Sequence, residues 1–121
     1  MAPPTPLSIA TSSVQRLVKE EASYHRELQQ QEERIKRIEA ENPSAEEDDG
    51  NREYILKQER QALEETKRVL PSMKQKISEA VAKLDRLLLE EGHKGMSSNV
   101  DEINAAKEAI SQAKTAVREI S

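Results

Sequence analysis

Apolar residues recur at alternating steps of three and four along most of the chain. In the first part of the chain this series runs through Leu7, Ala10, Val14, Leu17, Glu21, Tyr24, Leu28, Gln31, Ile35 and Ile38. Such spacing is typical of a helix that packs against other helices at a repeat of about 3.5 residues. No segment of the sequence shows the every-second-residue alternation of a half-buried strand. The pattern therefore predicts an all-α fold.

The composition limits how thick the core of such a fold can be. Of the 121 residues 35% are hydrophobic, with no Phe or Trp and two Tyr, whereas 35% are charged and three are Gly. A narrow apolar stripe is enough to hold helices side by side, but a compact globule needs more apolar bulk. We therefore predict a single domain over 1–121, an elongated three-helix bundle with spectrin-like, coiled-coil packing.

Prolines mark the expected ends of the first helix. The three prolines within residues 1–6 predict a disordered lead. Helix 1 is expected over about 8–41, with Ser8 and Ser12 as alternative caps. It should end just before Pro43, because the residue that precedes a proline is disfavoured in a helix.

Glycines and a capping pattern set the expected ends of the other helices. Helix 2 is expected over about 51–91, with Gly92 where a helix terminus favours glycine. Helix 3 is expected over about 99–120, because Glu102 stands at capping-box distance from Asn99. Since both linkers have about ten residues or fewer, neighbouring helices should be antiparallel.

Helix 2 carries a double apolar stripe, which predicts that it is the central helix with a neighbour on each side. Pro71 interrupts this stripe and should cost about 3 kcal/mol inside a helix. Because the apolar spacing continues on both sides of Pro71, the pattern favours a kink, and two shorter helices are the alternative. The stripe comprises Ile55, Leu56, Ala62, Leu63, Val69, Leu70, Met73, Ile77, Ala80, Val81, Leu84, Leu87 and Leu88. The seam of helix 3 comprises Ile103, Ala106, Ile110, Ala113, Val117 and Ile120.

The sequence lacks the residue patterns of an enzyme, a metal site or a nucleic-acid surface. There is no Cys, and neither His25 nor His93 has a partner at the spacing of a metal or catalytic site. The net charge of −4 lies in the run Glu46–Asp49 while the other charges balance, so no extended basic face is expected. No stretch is apolar and long enough to span a membrane. We therefore predict a soluble protein with no catalytic residue, no metal, no cofactor, no nucleic acid and no membrane partner.

Glu21 and Gln31 are the two polar positions within the seam of helix 1. A polar residue inside an apolar stripe fixes the register of the helices or marks where the stripe opens to solvent. We favour these two explanations over a binding role.

Several runs of the sequence carry a resemblance to a known family. The run VQRLVKE over residues 14–20, Tyr24 and the run QQEE are followed by an acidic Gly-Asn linker, Tyr54 and a helix interrupted at Pro71. Together they resemble the tubulin-binding cofactor A family over about residues 9–90.

The resemblance implies a three-helix bundle that works as a chaperone and not as an enzyme. Members of that family capture β-tubulin folding intermediates released by the cytosolic chaperonin and hold them for later cofactors, toward the αβ heterodimer, without using a nucleotide. For this chain the resemblance implies β-tubulin and other tubulin-folding cofactors as partners, and a cytoplasmic, cytoskeleton-associated location. Monomer and homodimer are both left open.

Arg16, Lys19 and Glu20 are the first candidates for contact with β-tubulin. They belong to the resembling run but lie off the seam that Leu17 and Tyr24 form. Ordinary solvated side chains are the alternative for these three positions. For the whole chain, the alternative is a generic spectrin-like or SNARE-regulatory helical adaptor that binds another helix through its groove.

Overall fold

Three α-helices make up the described part of the chain. The computed structural model describes residues 4–41, 50–94 and 99–119. Helix α1 spans Pro6–Ala40, α2 spans Asn51–His93 and α3 spans Val100–Glu119. No strand occurs among the residues described. The prediction of an all-α fold with three helices is confirmed.

Helix α1 begins two residues before the predicted start at Ser8. Thr5 caps it: its Oγ1 accepts a hydrogen bond from the backbone N–H of Ser8 at 3.0 Å, and its carbonyl oxygen accepts one from the N–H of Ile9 at 2.9 Å. Pro6 is the first helical residue, a position where the missing N–H costs nothing and the fixed φ suits the helix. The lead predicted over 1–6 is therefore too long, and its residues 1–3 lie outside the described part.

Arg52 ties the start of α2 to the end of α1. Its guanidinium donates hydrogen bonds to the carbonyl oxygen of Ile38, at 2.9 and 3.1 Å, and to that of Glu39, at 2.9 Å. Carbonyls in the last turn of a helix lack the donors that a following turn would supply. Gly50 precedes α2 with a φ of 93°, which residues with a Cβ rarely adopt. The predicted linker residues 42–49 lie outside the described part.

Helix α2 is assigned as one helix through Pro71, which is exposed. It ends at His93, two residues beyond the predicted end, so Gly92 belongs to its last turn. His93, expected in a linker, is therefore helical and exposed. Helix α3 is capped by Asn99, whose Oδ1 accepts a hydrogen bond from the N–H of Glu102 at 3.2 Å.

The first of two compact units comprises Met1–Ala22 and Pro71–Ser121. Its core contains residues from all three helices, and α3 contributes mostly alanines, which let a neighbouring helix approach closely. Thr5 Oγ1 also donates a hydrogen bond to Glu102 Oε2 at 3.1 Å, so the cap of α1 is tied to the first turn of α3. The buried core residues are Leu7, Ala10, Val14, Ile77, Val81, Leu84, Ala106, Ala109, Ile110 and Ala113.

The second unit, Ser23–Leu70, contains the rest of α1 and the first part of α2. Two ion pairs join its two helical segments: Arg34 Nη1 lies 3.0 Å from Glu59 Oε1, and Arg60 Nη2 lies 2.9 Å from Glu39 Oε1. Among the described residues of this unit, fewer side chains are buried and two of the five are polar: Gln31, Ile35, Leu56, Thr66 and Leu70. Two helical segments therefore form a thinner core than three.

The predicted two-sided burial of α2 is wrong at its N-terminal end. Leu56 is buried, but Ile55 is 45% exposed and Tyr54 is 62% exposed. Ala62 and Val69, further along the same stripe, are half-buried. The exposure is therefore limited to the start of α2, where α1 is the only helical neighbour among the described residues of Ser23–Leu70. The seam predicted for α1 has all ten positions buried or half-buried. In α3 the seam residues are likewise covered, except that Ile120 lies outside the described part.

Leu84 and Leu89 form a matched pair for testing this core, because both are leucines of α2 and they differ in burial. Leu84 is 0% exposed and Leu89 is 68% exposed. We expect Leu84→Ala to lower the free energy of unfolding by about 2–5 kcal/mol and Leu89→Ala by less than about 1 kcal/mol. Urea unfolding followed by circular dichroism measures both. Equal effects of the two variants would contradict the assigned core.

Candidate protein-binding surfaces

Arg16, Lys19 and Glu20 lie together on the outer side of α1. All three are exposed, whereas Leu17 and Val18 beside them are half-buried against the core. Steps of three and four place the three charged side chains on one helical face. They form a polar surface that borders apolar side chains, which is the usual make-up of the rim of a protein interface. Their role in binding stays a prediction.

Two pockets lie in line between α2 and α3 in the first unit, and we call them together the α2/α3 groove. One end is lined by Ser78, Val81, Ala113, Lys114, Val117 and Arg118. The other end is lined by Asp85, Leu88, Leu89, Gly92, Ile103 and Lys107. Seven-residue steps, about two turns of helix, connect Ser78 to Asp85 and Lys107 to Lys114, so both ends lie on the same side of the helix pair. The groove is mainly apolar, and its charges stand at its edges.

A second groove of the same unit lies between α1 and α2. It is lined by Pro6, Ile9, Ala10, Ser13, Ala80, Lys83 and Leu87. Ile9 is exposed there, while Ala10 belongs to the core beneath. This groove carries one charged side chain, Lys83, so it offers little electrostatic selectivity.

In the second unit α2 carries a patch of exposed polar side chains between residues 57 and 68. Its side chains are Lys57, Arg60, Gln61, Glu64, Glu65 and Arg68. Nearby, Lys67 Nζ lies 3.7 Å from Glu64 Oε1. Exposed pairs of this kind contribute at most about 1 kcal/mol. The face mixes both signs of charge and is typical of a solvated helix surface.

Gln31 is the clearest polar anomaly of the seam. It is 6% exposed, and its Oε1 is buried without a hydrogen-bond partner among the described residues. A buried carbonyl oxygen left in this state costs about 1–3 kcal/mol. Glu21, the other polar seam position, is buried too. Of the two explanations given for these positions, opening to solvent is therefore wrong, and a role in fixing the register of the helices stays a prediction.

The two histidines and the end of α2 show no catalytic arrangement. His25 is half-buried in α1, and His93 ends α2. Among the described residues no group of three or more His, Asp and Glu side chains is placed to hold a metal ion. Glu91 raises the pKa of Lys94 by accepting a hydrogen bond from its Nζ at 2.9 Å and by its negative charge.

The cationic edge of α3 was not predicted from the sequence. Lys107 and Lys114 recur at seven residues, next to the seam residues Ile103, Ile110 and Val117. That spacing was visible in the sequence. Which flank of the α3 seam borders a groove depends on where α2 lies, and only the folded chain gives that information.

None of the described helices is long and apolar enough to cross a membrane.

Comparison with known proteins gives a consistent result. The family model described as tubulin binding cofactor A matches residues 2–110. The chain is similar to the tubulin-specific chaperone A of Saccharomyces cerevisiae, 32% identical over 108 residues, which cover 88% of this chain and 95% of that protein. It is also similar to that of Homo sapiens, 34% identical over 82 residues, and to that of Gallus gallus, 32% identical over 82 residues, with 68% of each chain covered.

These findings confirm the resemblance read from the sequence. No solved structure matches the chain significantly. The relatives are named as tubulin-specific chaperones, and this family is non-catalytic. On that ground the prediction that the chain is not an enzyme is confirmed.

The unpaired oxygen of Gln31 generates a stability prediction. Met has nearly the same size and no polar oxygen, so Gln31→Met should raise the free energy of unfolding by about 1–3 kcal/mol. Gln30→Met, at the exposed neighbouring position, is the control and should change it by less than about 0.5 kcal/mol. Urea unfolding of the three proteins gives the comparison. A Gln31→Met variant that is less stable than the wild type would show that the amide has a partner in solution.

Proposed function

Because the chain belongs to the tubulin binding cofactor A family, we propose that it is a non-catalytic chaperone for β-tubulin. It captures β-tubulin folding intermediates after their release from the cytosolic chaperonin and passes them on for assembly of the αβ heterodimer. The observation that carries this proposal is the family match, which extends over residues 2–110 and so reaches into α3.

Features of the surface support a role in binding a protein. A chaperone of this kind needs an extended surface rather than a closed site, and the long helices supply one. Helix α2 has 43 residues, which corresponds to about 64 Å at 1.5 Å per residue. Exposed apolar side chains such as Leu89 and Tyr54 stand among charged ones, as in interfaces of standard size.

The proposal includes the finer architecture predicted from the sequence. We propose that residues 1–121 form one antiparallel bundle of three helices with a kink at Pro71. Contacts within Ser23–Leu70 support antiparallel pairing there: Arg52 reaches Ile38, and the later Glu59 reaches the earlier Arg34. The start of α2 therefore lies beside the end of α1, as expected for antiparallel neighbours joined by a short linker.

The proposed setting is the cytoplasm, in association with the cytoskeleton. Besides β-tubulin, the proposed partners are the other tubulin-folding cofactors, to which the client is handed over. No nucleotide takes part in the proposed cycle, so capture and release depend on differences in affinity between successive partners.

Arg16, Lys19 and Glu20 are the proposed β-tubulin contacts on α1. If each contributes about 0.5–1 kcal/mol, replacing all three with alanine should weaken β-tubulin binding about tenfold or more. A pull-down from cytosolic extract with quantification by mass spectrometry measures the recovered β-tubulin. Circular dichroism verifies that the helix content is unchanged.

The matched control is the triple alanine variant of Glu33, Lys36 and Arg37. These residues have the same charges at the same three- and four-residue spacing on α1, and all are exposed. The control should recover β-tubulin like the wild type. Equal recovery by both triple variants would refute the assignment of Arg16, Lys19 and Glu20. Recovery of vesicle or actin-linked proteins in place of β-tubulin would favour the helical-adaptor alternative over the proposed function.

Pro71 links stability to binding in this proposal. Pro71→Ala restores a backbone hydrogen bond and removes a clash, so it should raise the free energy of unfolding by up to about 3 kcal/mol. If the kink shapes the binding face, the same variant should recover less β-tubulin in the pull-down. Ser72→Ala, at the exposed next position, is the control. A stabilised variant that captures β-tubulin normally would separate the kink from binding.

A further inference from the structure

The α2/α3 groove has the surface chemistry of a docking site for a helix. Its floor consists of the half-buried side chains of Leu88, Ile103 and Val117 beside the buried Val81. Leu89 stands at its edge with 68% of its surface exposed. From Ser78 to Gly92 the groove follows α2 for four turns of helix, about 21 Å. A partner helix of similar length could cover this apolar strip along its whole extent.

The charges along the groove are unequal. The α3 edge carries three cations, Lys107, Lys114 and Arg118, all exposed, whereas the lining contains one anion, Asp85. Within the described ranges, neither Lys107 nor Lys114 lies within ion-pair distance of a carboxylate. The groove is thus cationic in a chain whose net charge is −4. An occupant with acidic side chains next to its apolar stripe complements it.

We propose that the α2/α3 groove binds an amphipathic helix that has acidic residues beside its apolar stripe, and that the client protein supplies this helix. The second part rests on the proposed chaperone function, and the first does not. Apolar contacts with Leu88, Leu89 and Ile103 supply the affinity, because they remove apolar surface from water. Lys107 and Lys114 select acidic flanks and set the orientation of the bound helix.

The same charges argue against a second copy of this chain as the occupant. In a two-fold dimer the same patch of both subunits meets itself. Two α2/α3 grooves face to face would bring Lys107, Lys114 and Arg118 of each copy to a shared apolar strip, six cations against the two carboxylates of Asp85. Like charges placed in this way are repulsive. An acidic partner helix meets no such penalty.

Two designed peptides test the groove directly. Each is a helix of about 18 residues with Leu at every third or fourth position; one has Glu at the flanking positions and the other has Lys. Fluorescence anisotropy with labelled peptide measures the affinity for the full chain. The wild type should bind the Glu peptide about tenfold more tightly than the Lys peptide, and the preference should shrink as the salt concentration rises.

Charge reversal supplies the matched comparison. Lys107→Glu combined with Lys114→Glu should invert the preference, so that the Lys peptide becomes the tighter ligand. The control, Lys36→Glu combined with Lys83→Glu, makes the same change in net charge at exposed positions outside the groove and should keep the wild-type preference. An unchanged preference in the Lys107 and Lys114 variant, or no binding of either peptide to the wild type, overturns the proposal.

The apolar contribution has its own pair of variants. Leu89→Ala should weaken binding of the Glu peptide about three- to tenfold, since it removes an exposed side chain that binding would bury. Ile9→Ala changes an exposed side chain of the other groove and should leave the affinity unchanged. Equal effects of the two variants overturn the groove as the binding site. So does a wild-type dimer in analytical ultracentrifugation that Leu89→Glu converts to monomer, because that result assigns the groove to self-association.

Capture of β-tubulin from extract separates this inference from the proposed function. If the wild type captures β-tubulin and the Lys107 and Lys114 reversal captures several-fold less, with the Lys36 and Lys83 control unaffected, the client docks in the groove. If the reversal captures β-tubulin as well as the wild type, the client part of the inference is wrong while the chaperone function stands. If the wild type captures none, the chaperone function fails, and the peptide preference still decides whether the groove binds acidic helices.

Discussion

Burial of an apolar stripe only one or two residues wide holds this protein together. In the first unit the stripe brings Leu7 and Val14 of α1 against Ile77 and Leu84 of α2, and all four side chains are essentially inaccessible. The third helix meets them with alanines and Ile110. Charged residues make up 35% of the chain. Since the core is so thin, most of those in the described ranges lie at the surface, and Glu21 is the buried exception. The result is a large helical surface for each buried residue, which suits a protein that binds another protein and performs no chemistry.

The number of helical segments in each unit decides how many apolar side chains its core holds. The unit that contains α3 buries a cluster of ten apolar residues, and Thr11 and Glu21 are the polar side chains buried with them among the described residues. The unit Ser23–Leu70 has two segments, and its interface includes Gln31 and Thr66 together with the ion pair between Arg34 and Glu59. With fewer apolar partners available, hydrogen bonds and ion pairs supply more of the specificity of pairing there. The exposed Tyr54 and Ile55 follow from the same shortage of neighbours.

Charge and apolar exposure coincide at the α2/α3 groove. A chaperone binds a client that is not fully folded. Such a client exposes apolar surface, as other incompletely folded chains do. Apolar contact alone is unselective, whereas a cationic edge such as that of Lys107 and Lys114 favours one class of helix over others. The polar face of Arg16, Lys19 and Glu20 belongs to another helix of the same unit, so a client could be held through more than one helix.

The sequence by itself determined the helices and the inward face of each, because a seam repeats within one helix and depends only on local spacing: all ten α1 seam positions are covered, and Asn99 caps α3. The predicted start of α1 was less accurate, because a proline is compatible both with an extended lead and with the first turn of a helix. In the structure Thr5 caps α1 and Pro6 is its first residue. Only the tertiary structure decided that Ile55 lacks a neighbour, that Gln31 is enclosed, and that the lysines of α3 border a groove. Each of these three features depends on which helix lies opposite the residue, and the contacts that place that helix are between residues far apart in the sequence.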